Sequence, residues 1–215
     1  MIKQMKYIEY YEYMKKDAII YAYLLNNFSY VSRKVETWES VTLDRKHILL
    51  VKSGALFEEN DGKKSGIARC FFQKSLFFPT RKSIQLKAFE TSEICCISAD
   101  VVFRKLEEDQ ILSDFFLQIA EKNEQDLKRQ VFLATENPKN KIVSTLNFLL
   151  ENNFSNNDMT AFPVWLQMNI LAKLANCSIS TISSIVHELQ NKGMLDIQST
   201  PWKLLGRNMK LEYYE

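Results

Sequence analysis

The stretch 166–195 most constrains the fold, because it predicts two short amphipathic helices on either side of a tight turn. Apolar residues recur there at spacings of three and four, as on one face of a helix, at Ile170, Leu171, Leu174, Ala175, Ile179, Ile182, Ile185, Val186 and Leu189. Ser178 can cap the N-terminus of the second helix, and Gly193 stands where that helix must end. The pattern predicts a helix-turn-helix, a unit whose second helix commonly enters the major groove of DNA.

The residues that flank this unit extend the pattern. Two short apolar runs, Met194–Ile197 and Trp202–Leu205, surround the turn-forming segment 198–201, which predicts a small hairpin. A hairpin after the second helix makes the unit a winged helix. Upstream, Pro138 can start a helix that runs to Leu150, with Asn137 as its cap.

The region 33–98 has a different character, since short β-favouring runs alternate with polar turns. The runs are Val41–Leu43, Ile48–Val51, Ala55–Phe57, Ile67–Phe72, Ile84–Ala88 and Glu93–Ile97. Gly54 and Gly62 mark turns, and Asn60–Gly62 is a strong hairpin signal. Six to eight strands at this spacing predict a sandwich or jelly-roll barrel. The preceding segment, 1–28, predicts helices packed against it.

One long helix is predicted over Ile111–Glu136, which contains no glycine or proline. A stripe at spacings of four and three, here called the dimer stripe, follows one face of it: Phe116, Ala120, Asn123, Leu127, Gln130 and Ala134. Such a stripe is typical of a coiled-coil contact between two chains. The alternative is that the helix lies on its own barrel, and neighbouring apolar residues leave enough apolar face for both.

The order of β-domain, long helix and winged helix resembles the Crp/Fnr family of transcription regulators. The segment Ile48–Phe57, which reads ILLVKSGALF, is similar to a strand and turn of that family's sensor barrel, and Ser98–Leu106 is similar to the segment that leaves the barrel. Pro138–Leu150 is similar to the helix that opens the family's DNA-binding domain. The resemblance covers most of the chain from about Lys34 onward.

This resemblance implies an α+β fold in three parts. We expect a β-barrel or jelly-roll sensor domain with N-terminal helices at 1–110, a long dimerisation helix and hinge at 111–137, and a winged helix-turn-helix DNA-binding domain at 138–215. The implied partners are double-stranded DNA, a second copy of the chain and RNA polymerase. Because no apolar run of about 18 residues and no export signal occurs, we expect a cytoplasmic protein without a membrane partner.

Candidate DNA contacts follow from matching the motif. The resemblance places Ser180, Ser184 and His187 where base-reading side chains lie, and Thr181 where a hydroxyl meets phosphate; Ser178 lies on the same open face. Further phosphate candidates are Gln167, Asn169, Lys173, Lys192, Gln198, Ser199, Thr200 and Lys203. Many members hold Arg and Glu where this chain has serine, so no operator sequence can be predicted.

The charge balance of the chain and its lack of catalytic motifs bear on which functions are possible. The chain carries 28 Lys and Arg against 26 Asp and Glu, and the segment 139–215 carries seven against six. This near-neutrality weakens the expectation of DNA binding, because phosphate contacts normally supply much of the affinity. A winged helix that binds protein therefore stays open as an alternative. No catalytic motif such as GxSxG, a P-loop or HExxH occurs, so we expect no enzyme.

The barrel of this family commonly holds a regulatory ligand. The segment Ser75–Ile84, at the place of the cyclic-nucleotide phosphate cradle, lacks the glycine and glutamate of that cradle, so we expect no cyclic-nucleotide binding; Arg81 and Lys82 fit a solvated turn. No cofactor and no metal are expected, since no cysteine precedes Cys70 and only two histidines occur, His47 and His187. An unidentified small-molecule effector or a thiol signal stays open, although we favour reduced packing cysteines for Cys70, Cys95, Cys96 and Cys177.

Overall fold

The computed structural model describes residues 19–59, 67–79, 83–153 and 158–205. Its helices are α1 (Ile19–Asn27), α2 (Ala99–Glu108), α3 (Leu112–Thr135), α4 (Pro138–Glu151), α5 (Met168–Ala175) and α6 (Ile179–Asn191). Its strands are β1 (Val31–Val35), β2 (Ser40–Asp44), β3 (His47–Ser53), β4 (Ala55–Glu59), β5 (Ile67–Phe72), β6 (Leu76–Phe77), β7 (Ser83–Ala88), β8 (Ser92–Ser98), β9 (Leu195–Asp196) and β10 (Lys203–Leu204).

Eight of these strands form the predicted jelly roll. They make two antiparallel four-stranded sheets, one in the order β1-β8-β3-β6 and the other in the order β2-β7-β4-β5. Alternate side chains point into the space between the sheets, where Leu49, Leu56, Phe71, Leu86 and Ile94 are each at most 1% exposed. This interior cluster is the core of the barrel.

Each sheet is also buried on its outer face. Ile48 and Leu50 of β3 point away from the interior cluster and pack against α1, α2 and α3. On the other sheet, Phe57 and Phe72 point outward and pack against the C-terminal domain. Burial on both faces explains why the run Ile48–Val51 is apolar throughout instead of alternating with polar residues.

Gly54 occupies a turn that no other residue fits. Its φ is +84°, and a Cβ built on it would lie 2.2 Å from Ser92 Oγ. That hydroxyl is held close because it accepts a hydrogen bond from Ala55 N over 3.1 Å. The turn therefore joins β3 to β4 only with glycine at this position.

The long helix and the start of α4 confirm the sequence prediction to within a residue at each end. Asn137 caps α4, since its Oδ1 accepts from Asn140 N over 3.0 Å, and Pro138 is the first helical residue. At the start of α2, Ser98 stands at the N-cap position without a side-chain hydrogen bond. Most of β1 and all of β6 were not predicted from the sequence, and the hairpin signal Asn60–Gly62 lies outside the described residues.

Candidate DNA-binding surface

The turn between α5 and α6 has the geometry that its sequence predicts. Asn176 ends α5 in the left-handed conformation with φ 51° and ψ 48°, which asparagine tolerates better than most residues. Cys177 N then donates to Ala172 O over 3.0 Å. Ser178 starts α6, because its Oγ accepts from Thr181 N over 3.1 Å. The two helices are thus joined by a turn that leaves α6 capped.

The far end of α6 leads directly into the wing. Gly193 has φ +67°, and the N–H groups of Gly193 and Met194 return to carbonyl oxygens of the last helical turn over 2.8 and 3.0 Å. Strands β9 and β10 then pair antiparallel, and Ala161 forms an isolated bridge to Lys203 on the other side of β10. The predicted hairpin is confirmed, and the segment before α5 adds a third strand-like edge to it.

Helix α6 separates a buried face from an open one. Ile182, Val186 and Leu189 are at most 2% exposed and face α4 and α5. The open face carries the predicted reading residues: Ser178, Ser180, Ser184 and His187 are exposed, and Thr181 is half-buried. The placement of Ile179 on the apolar face is wrong, because this side chain is 57% exposed at the first turn of α6. Ile179 is therefore a candidate contact that the sequence pattern did not indicate, of a kind that suits a thymine methyl group.

Hydrogen bonds position the polar side chains on the open face of α6. Ser178 Oγ lies 2.8 Å from Ser180 Oγ and 2.7 Å from Thr181 Oγ1, so the three hydroxyls form one cluster at the helix start. His187 Nδ1 lies 2.6 Å from the Ser183 carbonyl oxygen and donates to it. In the neutral ring Nε2 is then the acceptor. The surface offers short, adaptable hydrogen-bonding groups in place of long charged ones.

The phosphate candidates surround this face. Gln167 and Asn169 are exposed at the start of α5, and Lys173 is half-buried in its last turn. Ser199 is half-buried and its Oγ donates to the Pro201 carbonyl over 2.9 Å, while Gln198 and Thr200 are exposed in the wing turn. These positions frame α6 on both sides.

Acidic residues form ion pairs with several lysines of this surface. Lys192 Nζ lies 2.6 Å from Glu188 Oε1, and Lys139 Nζ lies 3.5 Å from the same oxygen. Lys203 Nζ lies 3.5 Å from Asp158 Oδ2. The two lysines lower the pKa of Glu188, so this carboxylate is ionised at neutral pH. Glu188 would therefore compete with a DNA phosphate for both lysines.

Glu188→Gln is expected to strengthen duplex binding. Removing the carboxylate frees Lys139 and Lys192, and each added phosphate contact steepens the dependence of log affinity on log salt by about 0.9. We expect affinity to rise about threefold to tenfold at low salt, measured by fluorescence anisotropy at several salt concentrations. Glu107→Gln removes an exposed carboxylate from α2 and serves as the control. Equal changes in both variants would contradict this assignment.

The dimer stripe lies on the open side of α3. Phe116 is 47% exposed and Leu127 is 59% exposed, and the other members of the stripe, Ala120, Asn123, Gln130 and Ala134, are also exposed. The opposite side packs on the barrel through Phe115, which is fully buried. One face of this helix therefore covers the barrel, and the stripe that the other interpretation assigns to a second chain is open.

The C-terminal domain is packed against the barrel of the same chain. Phe89 stacks on Trp165 with ring centroids 4.1 Å apart and planes 6° apart, and on its other side it stacks on Phe57 at 4.2 Å. Phe72 meets Phe148 edge to face at 5.5 Å. One hydrophobic cluster thus runs from β4, β5 and the β7–β8 turn into α4, α5 and α6. These contacts fix the direction in which α6 faces.

Aromatic side chains pack in the described part of the segment Ser75–Ile84. Phe77 points into the barrel and lies 4.6 Å from Phe71, and the Phe78 ring meets Phe103 of α2 at 5.2 Å. Phe78 also reaches Phe115 of α3 at 6.4 Å. Arg81 and Lys82 lie outside the described residues.

Burial makes all four thiols harder to ionise. It raises the pKa of Cys70 to about 11, and it is also the main cause that raises the pKa values of Cys95, Cys96 and Cys177. A thiol with a raised pKa is a poor nucleophile at neutral pH.

In the described parts of the chain, no group of three or more metal-ligating side chains is assembled. None of the described helices combines the length and the apolar character that a membrane crossing requires.

Solved structures of similar fold include proteins described as transcriptional regulators. FixK2 of Bradyrhizobium japonicum aligns at a TM-score of 0.72 and 12% identity, over 85% of this chain and 94% of that one. CLP of Xanthomonas campestris, described as a c-di-GMP-responsive global regulator, aligns at 0.65 and 20% identity, over 88% and 99%. A CRP/FNR-family transcriptional regulator of Thermus thermophilus aligns at 0.62 and 14% identity, over 82% and 94%.

These similarities establish the fold over most of the chain. No protein-family model matches the sequence, and no curated protein matches it either. The likeness is therefore visible in the arrangement of barrel, long helix and winged helix rather than in shared residues.

Proposed function

We propose that this chain, which has the fold of the Crp/Fnr transcription regulators, is a homodimeric, sequence-specific DNA-binding regulator of that type. The observation that carries the proposal is the open face of α6, where a capped helix of 13 residues presents Ser180, Ser184 and His187 to solvent. A helix of this kind, followed by a wing, fits the major groove with its N-terminal half toward the bases. No catalytic step is part of the proposal.

Dimerisation supports the reading of DNA. The dimer stripe on α3 leaves Phe116 and Leu127 half-exposed, and pairing two copies along it would remove both from water. Two α6 helices in such a dimer would address half-sites one helical turn apart. The protein would then act in the cytoplasm on double-stranded DNA, with RNA polymerase as a further partner.

The proposal is tested by selecting genomic DNA fragments with the purified protein at two salt concentrations. We expect a palindromic site with half-sites one helical turn apart, and binding that weakens steeply with salt. Recovery of no specific site, or an affinity that does not respond to salt, would contradict it. The second outcome would favour a winged helix that binds protein, an alternative supported by the ion pairs of Lys192 and Lys203.

Single substitutions on α6 are expected to weaken binding and change base preference. Ser184→Ala and His187→Ala each remove one hydrogen-bonding group, which is worth about 0.5–1.5 kcal/mol, or about twofold to twelvefold in affinity. Gel shifts on the selected site measure the loss, and repeated selection measures the preference. Gln190→Ala, on a half-buried residue of the last turn of α6, is the control. Unchanged affinity and unchanged preference would remove Ser184 and His187 from the reading surface.

The barrel is expected to bind no cyclic nucleotide. The segment Ser75–Ile84 lacks the glycine and the glutamate of a phosphate cradle, and Phe77 and Phe78 of this segment pack against other aromatic rings. Isothermal titration of cAMP into the full chain is therefore expected to give no heat of binding. A micromolar dissociation constant for cAMP would overturn this part of the proposal.

A further inference from the structure

A cavity of about 680 Å³ opens at the edge of the barrel where β1 and β2 lie. Both are edge strands of their sheets, and no described pairing joins them, so the two sheets part at this edge. The volume lies within the range of about 300–1,000 Å³ that small-molecule sites occupy. Among the described residues, its lining includes none from β6, from the segment that follows β6, or from α3. The cavity thus lies at the opposite edge of the two sheets from β5 and β6.

The floor of the cavity is apolar. Val41, Leu43 and Ile94 belong to the interior cluster of the barrel and are at most 5% exposed. Cys96 packs beside them, and burial keeps its thiol protonated by raising its pKa. At the mouth, Val31 is 72% exposed. An apolar ligand would cover this valine while it rests on the floor, and both contacts would favour binding.

The charged groups of the lining already have partners. Arg33 is paired with Glu39, and Asp44 Oδ1 lies 2.7 Å from His47 Nδ1. Asp44 also accepts from Lys46 N over 3.0 Å. Within the described part of the chain, the lining therefore offers no unpaired cation to an anionic ligand. When the His47 ring is neutral, its Nδ1–H donates to Asp44 and its Nε2 is an acceptor at the rim.

We propose that this cavity is a ligand site of the sensor barrel, and that it takes a neutral, largely apolar small molecule with one hydrogen-bond donor. The apolar body would lie on Val41, Leu43 and Ile94, and the donor would meet His47. Calling the ligand an effector rests on the proposed function, whereas its binding does not.

The cavity is connected to the long helix. The turn between β2 and β3, which directly precedes His47, is tied to the start of α2 because Ala99 N donates to Lys46 O over 2.8 Å. Phe103 of α2 then packs on Phe115 and Phe116 of α3, each at 5.7 Å. A ligand that moves this turn would therefore act on the helix that carries the dimer stripe, provided it binds one arrangement more tightly.

The test is a fluorescence titration of the full chain with N-phenyl-1-naphthylamine, a neutral apolar probe that carries one N–H donor. We expect saturable binding of one probe per chain. Cys96→Phe fills the cavity and is expected to abolish binding, whereas Gln85→Phe adds the same bulk on an exposed position of β7 and is expected to leave it unchanged. Circular dichroism establishes that each variant is folded.

A second pair keeps the test decisive if Cys96→Phe does not fold. Val31→Glu places a charge at the mouth and is expected to weaken the probe about fivefold or more, since apolar burial is lost there. Val164→Glu changes an exposed valine of the C-terminal domain and is the matched control. Absence of saturable binding, or equal losses in Val31→Glu and its control, would overturn the proposal. Because the titration contains no DNA, its outcome is independent of the fragment selection.

Discussion

Trp165→Ala is expected to lower the free energy of unfolding by about 3–5 kcal/mol, the range found for removal of a large buried aromatic side chain. Trp165 is 8% exposed and closes a stack of three rings with Phe89 and Phe57. Truncation leaves a cavity between the C-terminal domain and the barrel, and it removes the stacking. Urea denaturation followed by circular dichroism measures the change.

Two other tryptophan substitutions make this result specific. Trp38→Ala removes a side chain that is 46% exposed and meets Phe57 and Phe89 only at ring distances of 6.3 Å, so its cost is expected to be much smaller. Trp165→Phe keeps a ring in the stack and is expected to recover part of the loss. A denaturation midpoint for Trp165→Ala equal to that of the unaltered chain would show that the two parts do not stabilise each other.

Leu127→Glu is expected to convert the proposed dimer into a monomer. Leu127 is 59% exposed near the middle of the dimer stripe, so the glutamates of two paired chains would face each other in an apolar contact. Loss of the second half-site contact is expected to reduce operator affinity about 100-fold or more. Sedimentation velocity measures the first effect and gel shift the second.

The control for this variant lies on the same helix. Gln125 is exposed and stands about half a helical turn away from the stripe, where its Nε2 donates to Glu121 Oε1 over 3.3 Å. Gln125→Glu adds the same charge and is expected to change neither mass nor affinity. If Leu127→Glu sedimented like the unaltered chain, dimerisation through this stripe would be ruled out.

The sequence predicted the elements whose signals are local. Ser178, Gly193 and Pro138 act on their own few residues, and each of these caps, stops and starts lies where its chemistry requires. The predicted strands also depended on local signals, since each was a short apolar run between turn residues. The exposed strand β1 was mostly not predicted because only Val35 of its five residues is buried.

What the sequence could not predict depends on contacts between distant residues. The stack of Phe89 on Trp165 joins residues that are 76 positions apart, and no periodicity within either segment indicates it. The ion pair of Lys139 with Glu188 likewise depends on how α4 meets α6. Ile179 was misplaced because it follows the apolar spacing of α6 although the first turn projects beyond the core.

The cluster that joins the two parts also limits how the chain can be recombined. A chimera that exchanged the C-terminal part at Pro138 for that of another regulator would keep Phe57, Phe72 and Phe89 on the barrel without the side chains that cover them. Three aromatic rings, two on the sheet and Phe89 in the β7–β8 turn, would then face water, which favours aggregation. A barrel and a C-terminal domain from different proteins of this fold would therefore combine only when the residues on the outer face of β4 and β5 are transferred together with the C-terminal domain that covers them.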